Sequence, residues 1–209
     1  MMDSGARTWA ATGFTAGTFA QTTRGLRPIE RLLPGEDALE FRDGSTAPLL
    51  QLHVAEFSEA DLAQMEDLRP VRIPPQSLGD HVPERTLTVA QSVHIHAQGR
   101  LVNRVTEHPE VLLPVSALVG LNGIEAVLPK GGVTYYHLVT QAHQVMRVEG
   151  LMSETLFLGE AGPLQDAYAA LATHDAAAFP RLDRETAQRL TAKMARKNRD
   201  FAPEDANET

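Results

Sequence analysis

Alternation of apolar and polar residues in short runs is the feature that most constrains how this chain can fold. It extends from Gly13 to about Phe157 and is clearest in the segments 50–54 and 133–139. A period of two residues is that of a β-strand with one buried face. In the segment 133–139 the face predicted to be buried consists of Val133, Tyr135, His137 and Val139. We therefore predict a mostly β domain in which His137 is a hydrogen-bonded core residue.

Glycine-containing turn signals separate these runs at close intervals. Asp43-Gly44, Asn122-Gly123 and Gly131-Gly132 are pairs typical of tight turns and hairpins. One helix interrupts the strands, because Ser58 can cap it and Asp61 stands three residues later, as in a capping box. These signals predict short strands joined by turns, with one helix among them.

The period changes after Gly159, where apolar residues begin to recur at helical spacing. Residues 164–171 have the i, i+3, i+4, i+7 pattern, and a second helix can start at Asp183 and run through Met194. We therefore predict one or two C-terminal helices. The predicted organisation is an N-terminal lead-in over 1–12, a β domain over 13–158, a helical extension over 159–202 and a disordered tail over 203–209.

The composition excludes several classes of site. The chain has no cysteine, so it has no disulfide, no thiolate nucleophile and no cysteine-based metal site. Its net charge of −8 argues against a nucleic-acid surface. No apolar run approaches the roughly 18 residues of a membrane-spanning helix, and the start lacks the basic and apolar regions of a secretory signal. We therefore expect a cytoplasmic protein that binds neither nucleic acid nor membrane.

Residues 13–36 carry the first part of a resemblance to a known family. Residues 13–18 read Gly-Phe-Thr-Ala-Gly-Thr, and residues 27–36 read Arg-Pro-Ile-Glu-Arg-Leu-Leu-Pro-Gly-Glu. The segment is similar to the opening of bacterial hedgehog/intein (Hint) domains, which runs roughly Cys-Phe-Thr-Pro-Gly-Thr, then Arg-Pro-Val-Glu-Asp-Leu and Pro-Gly-Asp. In this chain it predicts a strand, a hairpin turn at Arg24-Gly25 and a return strand.

Further segments in the same order extend the resemblance to about Phe157. Residues 70–79 resemble the family's Val-Arg-Ile and Leu-Gly stretch, and residues 112–124 resemble its Val-Pro-Ala, Leu-Val and Gly-Ile stretch. Residues 135–154 resemble its closing strands. The resemblance implies the horseshoe of short antiparallel strands typical of Hint domains.

Self-processing in the Hint family begins with an acyl shift. A Cys or Ser at the first motif position attacks the preceding carbonyl, and a Thr-x-x-His element polarises that peptide bond. In splicing members a terminal His-Asn pair then releases the domain. Here the first position is Gly13, Val93 stands in place of the histidine, and Ser153-Glu154 stands in place of His-Asn. The three departures fall on the three chemical elements, so the resemblance implies a Hint fold without self-processing.

The resemblance also indicates where a vestigial site lies. His94 directly follows Val93, and a shift of one residue turns a strand side chain to the opposite face. His143 falls at a turn where the family has a neighbour of the site. The candidate site residues are Gly13, Thr15, Thr18, Val93, His94, His137 and His143.

For the threonines next to Gly13 and for the histidines we favour a structural interpretation. Thr12 and Thr15 flank Gly13, but a hydroxyl is a weak nucleophile without an adjacent base, and threonine suits strands and turns. His94 and His96 share a strand face at a spacing that can chelate a metal. No third ligand is close in sequence, although Glu107, His108 and Glu110 follow about a dozen residues further on. We interpret the two histidines as an exposed pair and predict neither a metal nor a cofactor.

Three hypotheses follow from these residues. The first is a Hint-like module that has lost catalysis and presents loops or a strand edge to a protein partner. The second is residual autoproteolysis near Gly13 through a Thr hydroxyl or water, assisted by His94, His137 or His143. The third is that Gly13 replaces a native Cys or Ser, which would block the acyl shift. Val93 argues against this hypothesis, because the replacement at position 13 would already block the reaction. The sequence sets neither the partner nor the oligomeric state.

Overall fold

The computed structural model describes residues 11–160, 162–172, 174 and 176–196. Most of the predicted lead-in, residues 1–10, and the whole predicted tail, residues 203–209, lie outside the described residues. The α-helices are α1 (Glu59–Gln64), α2 (Arg100–Thr106), α3 (Pro163–Tyr168) and α4 (Arg184–Arg196). The strands are β1 (Phe14–Thr15), β2 (Phe19–Thr22), β3 (Gly25–Pro28), β4 (Ala38–Glu40), β5 (Thr46–Pro48), β6 (Gln51–Phe57), β7 (Pro70–Ile73), β8 (Leu87–Ala90), β9 (His94–Gln98), β10 (Glu110–Pro114), β11 (Glu125–Ala126), β12 (Val133–Val139), β13 (Val145–Val148) and β14 (Leu151–Glu154).

Two antiparallel sheets form the strand-rich part. The first has the strand order β11-β7-β8-β1-β12-β6, and the second has the order β10-β9-β14-β13-β2-β4-β5, with β3 paired to β2. Their paired strands run antiparallel, as in the long pairing of β12 with β6. This architecture confirms the predicted mostly β class with short antiparallel strands and one or two C-terminal helices.

The chain passes repeatedly from the first sheet to the second at one junction. β1 lies between β8 and β12, with Phe14 opposite both Val89 and Tyr136. Because β1 is antiparallel to both neighbours, the start of β1 lies beside the ends of β8 and β12. Those two strands then continue as β9 and β13 in the second sheet. The junction therefore gathers the residues around Gly13, His94 and His143.

The local signals in the sequence account for many of these elements. β2 and β3 form the predicted hairpin, with Thr22 opposite Gly25. Ser58 and Asp61 form a reciprocal capping box at the start of α1. The face of β12 that includes Tyr135 and His137 is buried, as the alternation predicts.

Helix α2 is not predicted from the sequence, which indicates only strands and turns in this part of the chain. Its N-cap is Gly99, which has no side chain to accept a hydrogen bond. It ends at Glu107 in the left-handed region, with φ of 63°, where a glycine is the usual signal. The helix thus lacks both of the residue types that mark helix ends in a sequence.

The C-terminal helix α4 packs onto the β domain. Asp183 accepts the Thr186 N–H at 2.8 Å, which fixes the predicted start of the helix. Ala187, Leu190 and Met194 are buried on one face, as the helical period predicts. Among the described residues, the helices are too short or too polar for any of them to span a membrane.

Candidate functional site

Gly13 lies against β12 so closely that its hydrogen side chain is required. Its φ is +106°, in the region that favours glycine. Its carbonyl oxygen accepts the Ala90 N–H at 2.8 Å, which fixes the peptide between two strands. A Cβ at this position would stand 2.3 Å from the Tyr136 carbonyl oxygen and 2.8 Å from the His137 Cβ. Neither Cys nor Ser fits this backbone, which argues against the hypothesis that Gly13 replaces a native nucleophile.

Val93 fills a core position in the turn between β8 and β9. Its side chain is fully buried. Its N–H donates to the Ala90 carbonyl at 3.3 Å, and its carbonyl accepts the Val115 N–H at 2.8 Å. An isopropyl group can neither donate nor accept a proton, so this position contributes packing and no acid–base chemistry.

The expectation that His94 and His96 form an exposed pair is wrong. Their exposed fractions are only 8% and 3%. His94 Nδ1 lies 3.1 Å from Glu154 Oε1, while His96 Nε2 lies 2.8 Å from Glu110 Oε2. The burial arises because Phe179, from the C-terminal region, packs on the His96 ring at a centroid distance of 4.8 Å. The alternation of residues along a strand cannot indicate a contact with a residue from a distant part of the chain.

The carboxylate of Glu154, on β14, is the centre of the site. It is buried and accepts the His94 backbone N–H at 2.9 Å. His143 Nε2 lies 3.2 Å from its second oxygen, and Arg181 forms an ion pair with that same oxygen. Burial alone would raise the pKa of Glu154, but His94, His143 and Arg181 outweigh it and hold that pKa well below its ordinary value. Glu154 is therefore charged at neutral pH.

His137, on β12, links Glu154 to the N-terminal side of the site. Its Nε2 lies 3.3 Å from the Glu154 main-chain carbonyl, which can only accept, so Nε2 carries a proton. Burial lowers the pKa of His137 to about 4, although Glu154 opposes that change. At neutral pH Nδ1 is therefore unprotonated, and it accepts the Thr12 hydroxyl at 2.9 Å.

Thr12 thus has an adjacent base, His137, which is one of the three histidines named in the second hypothesis. It is buried, and its hydroxyl proton points to His137 Nδ1. Ser92 Oγ donates to the Ala11 carbonyl oxygen at 2.8 Å. A hydroxyl, a base and a donor on a carbonyl therefore surround the Ala11–Thr12 peptide bond. Contacts over a separation of 125 residues have no local sequence signal.

Thr15 and Thr18 contact the main chain around β1 and β2. The Thr15 hydroxyl donates to the Thr88 carbonyl at 3.2 Å. Thr18 is buried, and its carbonyl oxygen accepts the Ile29 N–H at 2.8 Å. These contacts give both residues a structural role.

A C-terminal segment, residues 178–182, completes the site, and we call it the strap. The Leu112 N–H of β10 donates to the Pro180 carbonyl, and the Leu182 N–H donates back to the Leu112 carbonyl, both at 2.8 Å. The Ala178 N–H donates to His143 Nδ1 at 3.0 Å. Together with Arg181, these contacts bring the strap to the edge of the second sheet and onto Glu154. The sequence prediction did not include Glu154, Arg181 or Ala178 among the candidate residues.

The histidines and carboxylates of the site do not form a metal centre. Within the described part of the chain, no group of three or more His, Asp or Glu side chains is arranged to hold a metal ion.

A protein-family model described as a Hint domain matches residues 12–160, which is more than half of the chain. The chain therefore belongs to the Hint domain family, and the predicted family and Hint-like fold are confirmed. A solved structure of a bacterial intein-like domain from Clostridium thermocellum has 12% sequence identity and a TM-score of 0.47. The match covers 69% of this chain and 97% of that one. A comparison with curated proteins gave no match.

Replacement of Gly13 by Ala tests the close approach to β12. Gly17 is the matched control, because its φ of +83° is also positive but a Cβ there would meet nothing within 4 Å. We expect Gly17→Ala to lower the free energy of unfolding by about 1 kcal/mol, and Gly13→Ala to lower it by roughly 2 kcal/mol more, because of overpacking. Urea denaturation measures both, and equal losses would contradict the steric account.

Replacement of Arg181 by Met tests the charge balance around Glu154. Removing one partner of a buried pair costs about 3 kcal/mol, because it leaves an uncompensated charge. We expect Arg181→Met to show a loss of this order, and the double variant with Glu154→Gln to recover part of it. Arg184→Met is the control, because Arg184 is exposed. A double-mutant cycle in urea measures the coupling, and additive losses would show that the pair does not interact.

Proposed function

We propose that this Hint domain does not perform the acyl shift at Gly13 and works as a binding module. In this module the centre of the Hint site holds an extended, arginine-bearing segment, which in this chain is its own strap. The observation that carries the proposal is the 2.3 Å approach of a Gly13 Cβ to the Tyr136 carbonyl, which leaves no space for a nucleophilic side chain.

The other two chemical elements of the family are also replaced by groups with different chemistry. Val93 is apolar and buried, so it cannot polarise a peptide bond. Glu154 has no side-chain amide nitrogen, so it cannot cyclise as the terminal Asn of splicing members does. Its charge is instead compensated by Arg181 of the strap. These substitutions support binding rather than bond cleavage.

The strap lies along a sheet edge in the way that an extended peptide binds to a β-sheet. Leu112 exchanges two main-chain hydrogen bonds with the strap, which extends the second sheet beyond β10. Arg181 enters the site and pairs with a buried carboxylate. Main-chain pairing supplies affinity in this mode, and the side-chain pocket supplies specificity. The site therefore suits an extended segment that carries an arginine.

An upstream fusion tests the loss of the acyl shift. A small protein is fused ahead of Met1 of the full chain, and its intact mass is followed over a day with and without hydroxylamine, which intercepts esters. We expect a single species of unchanged mass. Scission between Thr12 and Gly13 would contradict the proposal.

A second candidate function is supported by a separate observation, the contact of Thr12 with His137 at 2.9 Å. In this reaction Thr12 Oγ1 attacks the Ala11 carbonyl carbon and its proton moves to His137 Nδ1. The Ala11–Thr12 C–N bond then breaks, the proton passes to the leaving amine, and an ester forms for water to hydrolyse. Ser92 would stabilise the developing negative charge on the carbonyl oxygen.

The acid–base properties of His137 place this candidate second. A general base works best when its pKa lies near the operating pH. Burial lowers the pKa of His137 to about 4, so it is a weak base for a hydroxyl at neutral pH. The contact of Thr12 with His137 favours the reaction, whereas the low proton affinity of His137 opposes it.

The same fusion separates the two candidates. Scission at Ala11–Thr12 and at Thr12–Gly13 gives fragments that differ by one threonine residue in mass. If the second candidate is correct, Thr12→Val, which keeps the shape and removes the hydroxyl, abolishes the cleavage. Thr15→Val is the matched control, because Thr15 contacts only strand main chain through its hydroxyl. Cleavage that persists in Thr12→Val would exclude the hydroxyl as the nucleophile.

A further inference from the structure

Two histidines accept main-chain hydrogen bonds where the C-terminal region meets the β domain. The Ala178 N–H of the strap donates to His143 Nδ1, and the Leu158 N–H donates to His174 Nδ1, both at 3.0 Å. On its other side, His174 Nε2 lies 2.9 Å from the Thr140 carbonyl oxygen, which can only accept. Each ring that accepts at Nδ1 must carry its proton on Nε2, so both histidines are neutral in this arrangement.

The two rings form one cluster with Phe157. The His143 and His174 centroids lie 6.1 Å apart, and Phe157 stacks on His174 with an interplanar angle of 10°. The titratable and charged groups that face His143 are Glu154 of β14, Arg181 of the strap, His137 of β12 and His174. A positive charge on either ring would therefore interact electrostatically with the other charged groups of the cluster.

Protonation is incompatible with the contact of Ala178 in the strap with His143, and with the contact of Leu158 with His174, which lies four residues before the strap. A charged imidazole carries N–H groups on both nitrogens and accepts no hydrogen bond. The Ala178 and Leu158 N–H groups would then each face another donor. The loss of the acceptor at Nδ1 breaks both of these hydrogen bonds.

We propose that His143 and His174 form an acid-sensitive clasp, whose protonation at Nδ1 releases the strap from β10 and opens the Glu154 site. The inference rests on the proposed function, because it treats the strap as the occupant of that site. When the clasp opens, Arg181 leaves and the site can accept an arginine of another segment. Acidification is thus the signal that regulates occupancy.

The sign of the pH dependence follows from His174. Burial lowers the pKa of His174 in the folded chain below its ordinary value. An unfolded histidine, with a pKa of about 6.5, therefore binds its proton first as the pH falls. The stabilising contribution is complete above about pH 6.5 and decreases as the pH falls toward the folded pKa. We expect the contacts of His174 with Leu158 and Thr140, and with them the strap four residues further on, to be released in this window.

Amide hydrogen exchange of the full chain at pH 7.5 and 5.5 tests the clasp, after correction for intrinsic rates. We expect protection of Ala178 and Leu182 to fall at least tenfold at the lower pH, while Tyr136 in β12 keeps its protection. Unchanged protection of the strap would overturn the proposal. This readout does not depend on chain cleavage, so it separates failure of the clasp from failure of the proposed function.

Asparagine variants identify the responsible groups. In His143→Asn and His174→Asn the side-chain oxygen can accept in place of Nδ1 but does not titrate. We expect the double variant to retain strap protection at both pH values, and the exposed His108→Asn control to behave as the unmodified chain. A tenfold loss in the double variant would overturn the assignment. Imidazole ¹⁵N shifts of the unmodified chain provide a readout independent of the folding of the variants: protonated Nδ1 atoms at pH 7.5 would overturn it as well.

Discussion

Glu154 carries a negative charge in a place that water does not reach, and its partners come from separate parts of the chain. An isolated buried carboxylate is so unfavourable that it would normally become protonated or remain exposed. Here His94 begins β9, His143 precedes β13, and Arg181 belongs to the strap. The packing of the C-terminal region onto the second sheet is thus linked to the charge of one residue. Arg181 of the strap is thus one of the groups that keep this buried carboxylate charged.

Glu154 also connects the C-terminal strap with the residues next to Gly13. Its side chain faces the strap, while its main-chain carbonyl lies 3.3 Å from His137 Nε2. His137 in turn accepts the Thr12 hydroxyl, directly before Gly13. A displacement of β14 would therefore affect both the C-terminal contact and the geometry around the N-terminal peptide. The polar groups of this region thus connect segments from both ends of the described chain.

The sequence predicts those parts of the fold that depend on neighbours along the chain. Alternation indicates β12, and the Ser58–Asp61 pair marks the start of α1, because each signal lies within a few residues. Helix α2 escapes prediction because Gly99 and Glu107 occupy its ends in place of the usual capping residues. The burial of His94 and His96 also escapes prediction, because β14 and the C-terminal region cover them.

The candidate site likewise has one part that the sequence predicts and one part that only the structure shows. The resemblance locates Gly13, Val93 and Glu154 as departures from the Hint pattern, since those positions are read directly from the motifs. Geometry adds that Gly13 admits no side chain, which depends on the φ of one residue and the distance to β12. The pairing of Thr12 with His137, and of Arg181 with Glu154, joins residues far apart in sequence.

The most direct test of the account is to place a nucleophile at position 13. Gly13→Cys is made in the full chain with an upstream fusion, and intact mass is followed with and without added thiol. If the close approach of β12 and the apolar Val93 both exclude the chemistry, the variant stays uncut and is less stable than the unmodified chain. Thiol-dependent scission between Thr12 and Cys at position 13 would contradict the account, because it would show that only the side chain of residue 13 is missing from a working site.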